Sequence, residues 1–176
     1  SSLFLSFLLF IFLLVWRMLM KFVEITTHST KETQKVARLI ALELLRSDIK
    51  KKGALVVALE GDLGGGKTTF TQGFARGLGI REKVLSPTFV IMKRFNLPRQ
   101  ARIYDLGFKN FIHIDAYRIE HIKELHMLGW KDILKDKEVI VLVEWADRVR
   151  RALPKEYIRI QFEFVDEKTR NIKMYL

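Results

Sequence analysis

The sequence predicts an α/β domain built around a mixed central sheet, and three features point to it. Two nearly continuous apolar runs, "ALVVALE" (54–60) and "EVIVLVEW" (138–145), have the composition of strands covered on both faces. Segments with apolar residues at helical spacing lie between the strand-like runs. The chain closes on two alternating segments, "YIRIQFEFV" and "RNIKMYL", joined by the turn sequence "DEKT", the pattern of an antiparallel hairpin.

Each element has its local reason. "KFVEITT" (21–27) alternates and reads as a strand. Ser29 and Glu32 form the Ser-x-x-Glu pattern of a capping box and open a helix over "TQKVARLIALELLR". Gly53 interrupts the chain before the first apolar strand. A glycine-rich loop follows, then a helix from about Lys67 to Leu78 that stops at Gly79. "VLSPTFVIMKRF" (84–95) is strand-like around Pro87. The polar stretch 96–110 reads as a hairpin excursion. "FIHIDAYRI" (111–119) is a strand ending in acid, and "EHIKELHMLGW" a short helix ended by Gly129. No repeat or linker divides residues 21–176, which are expected to form one domain.

Residues 1–20 stand apart. "LFLSFLLFIFLLVW" (3–16) is almost wholly apolar, yet shorter than the roughly 20 residues that cross a bilayer. It lacks the basic leader and small-residue cleavage site of a signal peptide. Two readings remain. Either the natural chain starts at Met18 or Met20 and the apolar extension is outside the fold, or it is a genuine membrane anchor. Length and flanks favour the first, so the expectation is a cytoplasmic protein with no stable membrane association.

The chain has 31 Lys and Arg against 20 Asp and Glu, a formal charge of +11, and no cysteine. Disulfides and Cys-ligated metal centres are therefore excluded. The positive charge suits an anionic partner, nucleic acid among them, or serves only solubility, since it is scattered along the chain.

"GDLGGGKTTFTQGFARGLGI" (61–80) carries the chemistry. Gly61-x-x-x-x-Gly66-Lys67-Thr68 has the spacing of a P-loop and its required setting, strand before and helix after. Gly61, Asp62, Leu63, Gly64, Gly65, Gly66, Lys67, Thr68 and Thr69 are read as the phosphate-binding segment. Glycines let backbone N–H groups curl round an oxyanion, and the helix N-terminus adds its dipole. Lys67 is expected on the β- and γ-phosphates and the Thr68 hydroxyl on Mg²⁺. The sheet then becomes that of a three-layer P-loop NTPase-like domain, mostly parallel, with the C-terminal antiparallel hairpin. No Asn-Lys-x-Asp sequence is present, which favours ATP over GTP.

Such a loop needs a second acid. Asp115 ends "FIHID" and Glu144 ends "VIVLVE". Both strands are expected beside "ALVVALE". Glu144 is assigned to the metal and Asp115 to the γ-phosphate or its surroundings, though a turn or ion-pair role also suits Asp115 and a helix-start role suits Glu144. Ser86 and Thr88 of "SPTF" are candidate γ-phosphate sensors, and Trp145 a candidate switch or core residue. The four histidines show no ligand spacing, and His113 reads as a polar core or edge position.

The string "GDLGGGKTTFTQGFARGLGI", "SPTF", "HIDAYRI…ELHMLGW" and "VEW", in that order, resembles the bacterial TsaE family from about residue 22 onward. Those proteins are small P-loop ATPases of the machinery that makes N6-threonylcarbamoyladenosine in tRNA. The resemblance implies that Gly64 to Thr68 hold ATP phosphates and Mg²⁺, that Asp115, Glu144 and Trp145 are functional, with Glu144 a metal ligand, and that Thr30 and Arg170 contact the nucleotide. It also implies weak ATP hydrolysis by the subunit alone, docking on the TsaD and TsaB subunits, and support of threonylcarbamoyl transfer to adenosine 37 of tRNA. Gly65 stands in place of a more usual Ala, Ala116 in place of Leu, and "EWA" in place of "EWP". The alternative is a P-loop kinase of a nucleoside or metabolite, with "RVRR" (148–151) as an arginine lid.

Overall fold

Leu55, Val57 and Leu59 face one layer of the protein while Val56 and Ala58 face the other, so this strand shows no polar alternation. The computed structural model describes residues 22–46, 52–87, 90–98 and 107–175. The apolar extension and Thr88 lie outside the described residues.

Among the described residues seven strands form one sheet: β1 (Phe22–Thr27), β2 (Leu55–Gly61), β3 (Met92–Asn96), β4 (Asn110–Asp115), β5 (Val139–Glu144), β6 (Ile158–Phe164) and β7 (Arg170–Tyr175). Their spatial order is β1-β7-β6-β2-β5-β4-β3. The centre, β6-β2-β5-β4, is parallel. β3 runs antiparallel to β4, and β7 lies antiparallel between β6 and β1. The predicted α/β class, its mostly parallel mixed sheet and its closing hairpin are all present.

The helices α1 (Thr30–Arg46), α2 (Lys67–Gly77), α3 (Ile122–Met127) and α4 (Trp130–Lys135) complete the layers with a 3₁₀ helix at Ala146–Ala152. Ala37, Ala41 and Leu45 of α1, with Phe70, Phe74 and Ala75 of α2, share one core with Leu55, Val57, Leu59 and Phe111. Phe70 meets Phe162 edge-on with ring centres 5.4 Å apart, and Phe74 lies 6.0 Å from Phe111. Burying each such ring contributes about 1.5–3 kcal/mol and fixes α2 over the sheet. Leu125 of α3, Trp130 and Ile133 of α4, and Ala146 and Val149 pack with Val56, Ala58, Val141 and Val143 on the opposite face.

Two glycines set how closely the first layer packs. A Cβ on Gly73 would fall 2.3 Å from the Gln34 carbonyl oxygen, and one on Gly77 would fall 2.7 Å from the Arg38 oxygen. Helices α1 and α2 therefore touch backbone to backbone.

Three local expectations are corrected. β4 does not lie beside β2: it is one strand removed, with β5 between, and β6 takes the other side of β2. Among the described residues of 84–95, strand structure begins at Met92, because the Pro87 carbonyl accepts from the N–H groups of Val90 and Ile91 and turns the chain. The short helix of "EHIKELHMLGW" is present as Ile122–Met127 and ends at a left-handed Gly129 (φ 77°), which also starts α4. The capping box of α1 is shifted: Ser29 Oγ accepts from the Glu32 N–H, but the Glu32 carboxylate accepts from the N–H of His28.

Candidate functional site

The three parallel strands that end in Gly61, Asp115 and Glu144 stop at one edge of the sheet, with Glu144 level with both Leu59 and Asp115. The loop leaving β2 turns there into α2. Gly64 (φ 76°) and Gly66 (φ 98°) adopt left-handed backbone that a side chain disfavours, and Gly66 starts α2 without any side-chain cap. The first N–H groups of the helix are thus open to an anion, and the helix dipole favours one.

Lys67 is buried and points back into the loop. Its Nζ donates to the carbonyl oxygens of Gly61 (2.6 Å) and Asp62 (2.8 Å) and lies 3.7 Å from the centre of the Trp145 ring. Burial holds this ammonium below the usual lysine pKa, against the opposing pull of Glu144, Asp147, Asp62 and Asp115. Trp145 has positive φ (58°) and starts the 3₁₀ helix. That helix is tied down by the Trp130 Nε1–H bond to the Ala152 oxygen and by Arg150, which pairs with Glu60 at 2.9 Å. Arg159 pairs with the second oxygen of the same buried Glu60.

Glu144 is buried at the end of β5. Its Oε2 accepts from the Thr68 hydroxyl (2.7 Å), and its Oε1 meets the Thr71 hydroxyl (2.9 Å) and His113 Nε2 (2.8 Å). Asp115, one strand away, accepts from the Ser86 hydroxyl and, at 3.0 Å, from the Tyr117 N–H. Arg170, at the start of β7, donates from Nε to the Gly64 oxygen at 2.9 Å and so bolts the C-terminal hairpin to the loop.

These groups surround a cleft of about 410 Å³. Leu63, Gly64, Gly65, Gly66, Lys67, Thr68 and Thr69 line its floor. Thr30, Arg170, Ser86, Asp115, Glu144 and Trp145 also line it. Gly61 and Asp62 are not in the lining. Gly61 is instead held against β6, where a Cβ would fall 2.3 Å from the Phe162 oxygen, and both residues offer their carbonyls to Lys67.

Several lining residues were not singled out as site residues from the sequence: Ser29, Thr33, Tyr117, Glu167 and Lys168. The last two come from the hairpin turn, over a hundred residues from the loop they face, and nothing local marks them. Thr71 and His113 were also passed over as site residues. The spacing Thr68-x-x-Thr71, one helical turn, is the signal that could have found Thr71.

The donors suit the groups the loop pattern implies. The glycine loop and uncapped helix offer N–H groups to a phosphate. A hydroxyl and a carboxylate side by side are the hard oxygen donors that Mg²⁺ takes.

The family model for "Threonylcarbamoyl adenosine biosynthesis protein TsaE" matches residues 27–172. The chain belongs to the TsaE family. Its role is accordingly in tRNA threonylcarbamoyladenosine biosynthesis. It is 38% identical over 153 residues to the tRNA threonylcarbamoyladenosine biosynthesis protein TsaE of Bacillus subtilis, covering 87% of this chain and 85% of the relative. The TsaE of Haemophilus influenzae is 33% identical over 121 residues, 69% of this chain and 70% of that one. The crystal structure of Bacillus subtilis YdiB superposes with a TM-score of 0.64 at 32% identity, covering 88% of this chain and 84% of that one. The TsaE match spans the loop, both acids and the hairpin, and so takes in every wall of the cleft. No helix among the described residues is long and apolar enough to cross a membrane.

Proposed function

We propose that this chain is a Mg²⁺-dependent ATPase subunit, slow when alone, that docks on the TsaD–TsaB complex in the cytoplasm and supports repeated threonylcarbamoyl transfer to tRNA. The observation that carries this reading is the meeting of Thr68 and Glu144 at 2.7 Å, beside an uncapped helix N-terminus and a buried lysine. Bound Mg²⁺ would supply charge neutralisation between the β- and γ-phosphates. The chain's own groups do the rest. Backbone N–H groups of Gly64 to Thr68 hold phosphate oxygens. Lys67 exchanges two carbonyls for the anion. Glu144 and the Thr68 hydroxyl would hold the metal. Asp115 and Ser86 stand at the same mouth, where they can orient the attacking water. Thr30 and Arg170 bracket the nucleotide.

The buried Lys67, held by carbonyls and the Trp145 ring, supports low activity in isolation, because a partner that moves Trp145 changes how freely Lys67 reaches the phosphate. The kinase reading needs an arginine lid, yet Arg150 is bound to Glu60. The basic surface supports contact with tRNA or an acidic partner face.

An ATPase assay with and without TsaD–TsaB and tRNA tests this. Slow hydrolysis alone, a changed rate with the partners, and loss of multiple-turnover modification in Lys67→Ala and Glu144→Gln are expected. ADP formed in step with a phosphorylated small molecule, indifferent to TsaD–TsaB, would overturn it.

A further inference from the structure

We propose that His113 is a positioning residue for Glu144: its Nε2–H holds Oε1, so that Oε2, beside the Thr68 hydroxyl, is the oxygen presented to the metal. This rests on the reading of Glu144 as a Mg²⁺ ligand and adds which oxygen binds and what holds it.

His113 is fully buried in β4, level with Lys93 of β3 and Leu142 of β5, on the sheet face that carries Phe111 and Leu142. An ionised carboxylate only accepts hydrogen bonds. Oε1 meets both Thr71 and His113, which engage its two lone pairs, whereas Oε2 meets Thr68. The Thr71 hydroxyl has one proton and two acceptors, the Lys67 carbonyl at 3.0 Å and Glu144 Oε1 at 2.9 Å, so its donation is divided. The His113 bond at 2.8 Å is not shared in this way.

The other ring nitrogen settles the tautomer. Nδ1 is buried and has no hydrogen-bond partner among the described residues. A proton there would leave a buried donor unpaired and turn the Nε2 lone pair toward the carboxylate, two unfavourable arrangements at once. The proton therefore sits on Nε2. A leucine would fill the same space without burying a bare nitrogen, so the cost of Nδ1 is explained by the use made of Nε2–H. Such groups behind a metal ligand typically change metal affinity about 10–100-fold when lost.

The test compares the wild type with His113→Gln, whose amide can replace the Nε2 donor, and His113→Leu, which cannot. ADP binding is measured by calorimetry with Mg²⁺ and with a chelator, and the tautomer by nitrogen-15 NMR of the wild-type ring. We expect Mg²⁺ to strengthen ADP binding in the wild type and about tenfold less so in His113→Leu. Metal-free affinity should stay within about twofold, and His113→Gln should recover most of the loss. The NMR spectrum should show protonated Nε2 and bare Nδ1. If the wild type shows no Mg²⁺ effect, the metal reading fails and the inference falls with it. If the wild type responds to Mg²⁺ and His113→Leu responds equally, or loses metal-free affinity to the same degree, the positioning role alone is overturned. Should His113→Leu not fold, a proton found on Nδ1 in the wild type still overturns it.

Discussion

Replacing Gly73 with alanine should weaken the fold although alanine is the better helix former. The added Cβ would lie 2.3 Å from the Gln34 oxygen, 2.6 Å from its Cα and 2.8 Å from its carbonyl carbon. All three are backbone atoms, so no side chain can rotate away, and α1 must move off α2 by roughly 1 Å to restore ordinary van der Waals separation. Overpacking of this kind costs about 1–3 kcal/mol, against a gain of about 1 kcal/mol from replacing glycine within a helix. With three backbone atoms in the way, the upper end of the cost applies, and the net loss is about 2 kcal/mol. For a chain of this size that is a fall in Tm of roughly 4–8 °C. The shift should also carry Ser29, Thr30 and Thr33 outward, since α1 bears that wall of the cleft. Nucleotide affinity should therefore fall while Lys67, Thr68 and Glu144 remain in place. Urea unfolding and calorimetric titration with ADP measure the two effects. A variant as stable as the wild type, or more so, would refute the backbone contact between the helices.

Arg170→Ala should weaken ADP binding several-fold while changing stability by no more than about 0.5 kcal/mol, because the guanidinium spans from the exposed hairpin to the Gly64 carbonyl. Unchanged affinity in a titration would remove the hairpin from the site. Lys67 supplies a pH signature. Its pKa is lowered in the folded chain, so the folded state releases this proton before the unfolded state does, and its contribution to stability rises with pH until the unfolded value of 10.5 is passed. The stability of the wild type relative to Lys67→Met should therefore increase as pH rises toward 10.5. A flat or falling difference in urea midpoints would mean the ammonium is not desolvated.

The glycine loop was legible because its backbone shape demands glycine at fixed intervals, as at Gly64 and Gly66. Glu144 was legible because an unbroken apolar run ending in an acid delivers a carboxylate to the rim of a buried strand. Strand order was not, since apolar runs such as β4 and β5 look alike whichever neighbour they take. It put β6, not β4, beside β2. "VLSPTF" has strand composition, yet the Pro87 carbonyl spends itself on a turn. His113 was read as a polar core position, and it is buried. Its partner lies on another strand, so its bond to Glu144 had no local sign. Glu167 and Lys168 reach the cleft only through the pairing of the last two strands.

That pairing has a consequence for how the protein is made. β1 has a single neighbour in the sheet, β7, and the bond from Thr26 to Asn171 joins residues 145 apart in sequence. A chain emerging from the ribosome presents β1 without its partner in the described sheet until β7 has been synthesised. The glycine loop emerges well before Arg170, which braces it from 106 residues beyond Gly64. Contacts of such long range slow folding, because the closure entropy must be met before they form. A chain released before β7 therefore carries the whole loop motif but lacks Arg170, and with it that part of the cleft lining.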